Sequence, residues 1–372
     1  MSYLMDVQDE GTQSILPATT DDVLFSVLSP ADLLRYSRTC RSTHAAVSAY
    51  IRRTFTIHDL LSRFFTPLEI NTFRYYQSRT GMFISGSTAL QFFNRETYPD
   101  SDLDIYVEHR YSRTIAFWLL SIGYSFVPRP RFQDEDLEEA LRQNMAYDNV
   151  NFTVPAQASA FFESTSMGYF GRGVANVYNF TKSDPSRKIQ LITAFHSPLE
   201  VILNFHSTCV MNVITHDTAY SLYPIATFEQ KRALVISTEG SKQDTARTKY
   251  SERGWDMVER LTYDEVNDPR SAFAPGSRYV GDSKCWKIPI SPSLDLRESF
   301  VEINSWNLRY RSNLKAVTSF KILLIDNLRY SYLVVNKSLQ DYLTPALVGP
   351  EEDEQRLDRD IMQLLKWKRE LS

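Results

Sequence analysis

The chain has 372 residues, 43% of them hydrophobic and 13% aromatic, which suits a sizeable core and two or three domains. Its 41 basic and 45 acidic residues leave a net charge of −4, which excludes a bulk electrostatic footprint for nucleic acid. Three widely spaced cysteines, Cys40, Cys209 and Cys285, give neither a disulfide framework nor zinc-ligand spacing, and the longest apolar runs are too short to span a bilayer.

Residues 1–14 are polar and acidic, unlike a secretory signal, and read as a disordered leader. With the cysteine usage, this points to a cytoplasmic or nuclear protein without a membrane partner. Residues 15–65 turn helical. Val23, Leu24, Val27 and Leu28 share one face of a short helix opened by Asp21 and Asp22. Ser29-Pro30 breaks it, Asp32 opens a second helix, and a third covers Ala45–Arg53. Residues 55–80 read as a connecting helix, too rich in aromatics to be a free linker.

An α/β pattern fills 66–215. Met82-Phe83-Ile84 is a short strand, and Thr88–Phe93 a helix. Leu103, Ile105 and Val107 alternate with Asp102, Asp104 and Tyr106, the period of a strand with one apolar face. Thr114–Ile122 is a helix, and 128–150 a charged helix or excursion. Asn176–Phe180 and Lys188–Thr193 are strands joined by a turn at Ser183-Asp184-Pro185-Ser186. Pro198 starts a further helix, and Cys209–Ile214 reads as a strand. Residues 216–262 form a helical extension, with helices over Thr227–Ile236 and about Asp244–Arg260. A loop-rich region, 263–372, ends in an amphipathic helix over 351–371.

The chemistry concentrates at Ser85-Gly86-Ser87 and Ser101-Asp102-Leu103-Asp104-Ile105. Gly86-Ser87 lies where a strand becomes a helix. Glycine lets a phosphate approach the backbone, and the helix start offers free N–H groups beside the Ser87 hydroxyl. Asp102 and Asp104 are two apart on a strand, so their carboxylates share a face and can hold Mg²⁺ or Mn²⁺. Lys249 and Arg253 are spaced i, i+4 on a later helix and share a face. His196 and His206 bracket the helix at Pro198 and are more often packed than catalytic. Trp255, Trp286 and Trp306 read as core.

Gly-Ser, a helix, then Asp-hydrophobic-Asp-hydrophobic resembles the nucleotidyltransferase superfamily. The resemblance covers roughly 81–215. It implies a mixed sheet with flanking helices, an NTP as substrate or ligand, Gly86, Ser87, Asp102 and Asp104 as phosphate and metal residues, and the basic helix of Lys249 and Arg253 as a further phosphate holder. The family carries a third acid on a later strand. The matching stretch, Lys188-Ile189-Gln190-Leu191-Ile192, holds Gln190 there instead. An amide is uncharged and cannot serve as a base, and losing general-base catalysis costs about 10²–10⁴ in rate. An acid from elsewhere, such as Asp184, would restore the site. Phe205-His206 stands where related domains carry a further acid after the aromatic residue.

A second resemblance lies in Ile15-Leu16-Pro17 and Leu28-Ser29-Pro30-Ala31-Asp32-Leu33-Leu34, continuing to Cys40-Arg41, which look like an F-box. Ala18-Thr19-Thr20 departs from that pattern. The resemblance implies docking of 15–53 onto the adaptor of a cullin-based ubiquitin ligase. The alternative is that these helices only pack against the following domain.

The sequence thus predicts an α+β chain: a small helical F-box-like segment, a nucleotidyltransferase-like domain and a helical, loop-rich C-terminal extension. Two functions follow. One is a nucleotide- and Mg²⁺-binding transferase fold whose transfer to a protein or RNA acceptor is reduced or absent because of Gln190. The other is an F-box-type substrate adaptor or binding module with a non-catalytic transferase-like domain.

Overall fold

The structure is a computed structural model that describes residues 18–98, 101–129, 135–145, 173–236, 241–294, 296–323, 328–335, 337–338, 341 and 358–364. The leader at 1–14 lies outside them, as do Ile15-Leu16-Pro17 and most of the 351–371 helix. The chain divides into two compact units, Met1–Phe55 and Thr56–Ser372. The first break therefore falls ten residues before the expected 65/66 boundary.

The first unit holds α1 (Ala18–Val27), α2 (Pro30–Ser37) and α3 (Arg41–Thr54). Pro30 occupies the first turn of α2, and the Ser29 hydroxyl caps it by accepting from Asp32 N. Cys40 and Thr43 form a reciprocal cap that starts α3 earlier than apolar spacing suggests. Phe25, Leu33, Val47 and Tyr50 make the core. The apolar face read from the sequence is only partly correct. Leu28 packs inward, whereas Val23, Leu24 and Val27 are 70%, 42% and 78% exposed.

In the second unit, the expected helix at 55–80 is two, α4 (Ile57–Leu61) and α5 (Pro67–Thr80). Thr66 and Glu69 form a capping box around Pro67, which fixes where α5 starts, and Gly81 ends it at φ +65°. There follow β1 (Phe83–Ile84), α6 (Gly86–Asn94), β2 (Leu103–Glu108), α7 (Ser112–Ser121), β3 (Ser125–Val127) and α8 (Leu137–Met145). Next come β4 (Val174–Lys182), β5 (Arg187–Ala194), the helix Pro198–Leu203, β6 (Asn212–Ile214) and β7 (Thr218–Ser221). Then come β8 (Arg232–Leu234), β9 (Asp256–Val258), β10 (Gly276–Tyr279), β11 (Trp286–Pro289), β12 (Ser305–Tyr310), β13 (Ala316–Ser319), β14 (Lys321–Leu323) and β15 (Tyr332–Val334).

One mixed sheet carries the unit, in the order β11-β7-β6-β1-β2-β5-β4-β3. Only β2 and β5 run parallel in it. Leu103, Ile105 and Val107 of β2 are fully buried, as are Ile189 and Leu191 of β5. The expected α+β class therefore holds. β7 from the expected extension 216–262 and β11 from 263–372 complete the same sheet. Arg278 reinforces this joint: it is buried, ion-pairs with Asp282 at 2.5 Å and donates to Leu222 O at 2.8 Å, just beyond β7.

Three expected elements change type. Cys209–Ile214 begins as a 3₁₀ turn over Thr208–Val210, where Asn212 Nδ2 donates to Cys209 O at 2.8 Å, and only Asn212–Ile214 is extended. The expected helix Thr227–Ile236 is a π turn, Ile225–Glu229, followed by β8. Lys231 at φ +50° separates the two, and Ala233-Leu234-Val235 is a wholly buried run whose length alone does not tell strand from helix. The helix expected to reach Arg260 spans Ser241–Glu252, stops near Gly254 at φ +95°, and gives way to β9, parallel to β8. Trp255, Trp286 and Trp306 are buried, as expected.

Because β2 is flanked by β1 and β5 and its apolar side chains are enclosed, Ile105→Ala should cost about 2–5 kcal/mol. A fall in the denaturant midpoint at unchanged slope would report it.

Candidate functional site

The acid pair forms at the N-terminal end of β2, against the turn from β1 into α6. Gly86 is the first residue of α6 and has φ +65°, a conformation that L side chains rarely adopt. A Cβ there would lie 2.5 Å from Asp104 Oδ2, so the carboxylate rests directly on the glycine backbone. Ser85 N donates to Asp104 O at 3.3 Å, and Thr88 Oγ1 to Asp102 O at 2.8 Å. These bonds lock the turn to the strand. Ser87 is buried, and its hydroxyl has no hydrogen bond among the described residues. Gln91 holds the intervening loop: Nε2 donates to Ser87 O and Ser101 Oγ, and Oε1 accepts from Tyr98 N at 2.7 Å.

Gln190 enters from β5. Parallel pairing sets it directly opposite Asp104, and its Nε2 lies 3.5 Å from Asp102 Oδ2. The register therefore puts an amide donor where the sequence pattern calls for an acid. Asp184 does not replace it; it is exposed in the β4–β5 turn, and no cluster of three or more acidic, His or Cys groups able to hold a metal exists among the described residues.

Electrostatics single out the pair. Burial raises Asp102, while Lys188 and Lys249 pull it back down. Burial first, then the neighbouring Asp102, pushes Asp104 up to about 7, against a smaller opposite effect of Lys249. By whole-residue exposure both are half-buried. Lys249, from the helix Ser241–Glu252, is lowered by burial and by Arg253 and raised by both aspartates. Arg253 sits one residue beyond that helix, its guanidinium 3.8 Å from the Tyr98 ring centre. Its Nη1 is buried and has no hydrogen-bond partner among the described residues.

The structure thus brings Gly86, Ser87, Asp102, Asp104, Gln190 and Lys249 together, with Arg253 beside Lys249. Sequence reading missed Lys188, although period 2 on β5 puts it on the same face as Gln190. It also missed Gln91 and Tyr98, whose roles depend on loop closure. His206 is not part of the pair. It stacks on Tyr250 at 5.4 Å, bonds Ser207 Oγ at 2.7 Å, and is lowered to about 4 by burial and then by Arg247 and Lys249, hence neutral near pH 7. His196 pairs instead with Glu200 at 3.6 Å.

The residues present fit a divalent cation in part. Burial raises both carboxyls, and Asp102 raises Asp104 further, so the pair would gain from one. The third charged oxygen of a complete set is absent among the described residues. No protein-family model, curated protein or solved structure matches the chain.

Two outcomes follow. Gly86→Ala forces a side chain into a left-handed backbone and onto Asp104, so it should cost at least about 1–2 kcal/mol, read from the denaturant midpoint. The pH dependence has a defined sign. Folded Asp104 keeps its proton up to about pH 7, whereas the unfolded residue loses it near 3.8. Between these values the folded state binds more protons, so its stability falls as pH rises. Glu108, raised to about 7 chiefly by burial, adds to the same slope. Asp104→Asn should therefore flatten, without abolishing, the loss of stability between pH 5 and pH 7, measured by urea unfolding at intervals across that range.

Proposed function

We propose that the chain is a nucleotidyltransferase-fold protein that binds a nucleotide with Mg²⁺, or Mn²⁺, and has reduced or absent nucleotidyl-transfer activity. The observation that carries this reading is Gln190, in register with Asp104 and 3.5 Å from Asp102. Asp102 and Asp104 would hold the cation. When bound, the cation would neutralise the pair and draw phosphate oxygens towards it. Ser87 and the start of α6 would donate to phosphate oxygens, and Lys249 would supply a positive charge beside them. Gln190 donates to the pair but adds no charge and accepts no proton, so it neither completes the cation's ligand set nor acts as a base.

Calorimetry tests the binding. Wild type should titrate with ATP and Mg²⁺, and Asp102→Ala/Asp104→Ala should lose most of the signal; equal, null titrations of both would refute the site. Incubation with labelled NTPs tests the chemistry. Gln190→Glu should label itself or an acceptor above wild type, since a restored base is worth about 10²–10⁴ in rate. Strong labelling by wild type would instead show that the amide does not silence transfer.

A second reading has its own support. Val23, Leu24, Val27, Leu34 and Tyr36 are all exposed on the first helical unit, an apolar surface suited to docking a ligase adaptor as an F-box does. Leu33 belongs to the core of that unit, so the informative substitution is Leu34→Asp. It should abolish co-purification with the adaptor while the unit stays helical by circular dichroism. An adaptor that never binds wild type would leave α1–α3 as structural helices.

A further inference from the structure

The loop that leads from α6 into Asp102 is fastened through its backbone. Tyr98 N donates to Gln91 Oε1 at 2.7 Å, and Tyr98 O accepts from Arg63 Nη2 at 3.0 Å. The same Nη2 reaches Ser101 Oγ at 3.3 Å, one residue before Asp102. The ring of Tyr98 serves a different element. Its hydroxyl donates to Glu96 Oε2 at 3.0 Å, and the Arg253 guanidinium lies 3.8 Å from its centre, well within cation–π range. Arg253 also lies 5.4 Å from the ring of Tyr250, which is buried against His206 and Trp255.

Sequence spacing groups Arg253 with Lys249, but the two side chains are used differently. Lys249 Nζ makes no hydrogen bond or ion pair among the described residues, and its charge acts on both aspartates. Arg253 is half-buried, lies on an aromatic face, and has its Nη1 shut off from solvent. A planar guanidinium laid on a ring holds two elements together, whereas an ammonium on a flexible stem takes its place from the helix that carries it. Arg253 follows Lys249 by about one helical turn. A contact that fixes Arg253 therefore fixes the end of the helix from which Lys249 projects.

We propose that Arg253 is a positioning residue and not a phosphate ligand: clasped to Tyr98, it ties the helix Ser241–Glu252 to the loop entering Asp102 and so sets Lys249 beside the acid pair. The role of Lys249 towards a ligand rests on the nucleotide reading above; the clasp itself does not.

Two measurements on the full chain keep these apart. Without ligand, hydrogen exchange of the helix 241–252 should quicken by roughly three- to tenfold in Tyr98→Leu and in Arg253→Ala, the loss expected for one partly buried cation–π contact. Tyr98→Phe keeps the ring and should exchange like wild type. Unchanged exchange in Tyr98→Leu and Arg253→Ala overturns the clasp, with or without nucleotide binding. Calorimetry with ATP and Mg²⁺ then follows the effect on Lys249. Tyr98→Leu and Arg253→Ala should each weaken binding by roughly three- to tenfold, the double substitution should be no worse than either alone, and Tyr98→Phe should bind like wild type. In a Lys249→Met chain neither substitution should weaken binding further. If Arg253→Ala still weakens it there, or if its effect multiplies with that of Tyr98→Leu, the guanidinium meets the ligand itself and the proposal is overturned. Should Arg253→Ala fail to fold, Tyr98→Leu with and without Lys249→Met decides, since a loss that persists without Lys249 is equally fatal. A wild type that does not titrate refutes the nucleotide reading and leaves hydrogen exchange to decide the clasp.

Discussion

Two carboxyl groups two residues apart, at the half-dry end of a central strand, set the terms for the second unit. Asp102 and Asp104 cannot both ionise cheaply: burial opposes it, and for Asp104 its neighbour opposes it further. Much around them answers that difficulty. Gly86 gives Asp104 a wall of backbone without a side chain, Lys188 and Lys249 supply partial compensation, and Gln190 offers an N–H. None of these is a full counter-charge in contact.

The parallel pairing of β2 with β5 gives Gln190 its significance. A shift of register by one residue would turn that side chain to the other face of the sheet and leave the pair without it. The observed register sets it beside Asp104. An amide at this point is thus a property of the site and not only of a sequence pattern. It keeps the shape of a ligand set while withholding its charge, which is why binding and transfer separate in the proposed reading.

Much of this was legible in the sequence because it depends on short spacings. The alternation from Leu103 to Val107, the Gly86-Ser87 junction and the strand around Gln190 are each local patterns, and each keeps its place. What was not legible depends on distant partners. The exposed face of α1 was misread because apolar residues lie on both sides of it, and only packing with Val47 and Tyr50 selects Phe25 for the interior. β8 was read as a helix because a short, fully buried run has no telling period. β7 and β11 join the sheet from segments whose composition resembles a separate extension.

The position of β1 has a consequence for the order in which the molecule assembles. This two-residue strand lies between β2 and β6, with Ile84 opposite both Ile105 and Ile214. The first pairing is close in sequence, and the second closes a long loop whose entropy must be overcome before the contact rewards it. Ser85, next to the glycine, is likewise fastened from the far side, its hydroxyl donating to Asn212 O at 2.6 Å. The turn that supports Asp104 is therefore fully braced only once β6 has arrived. The acid pair is present in the chain early and becomes a site late.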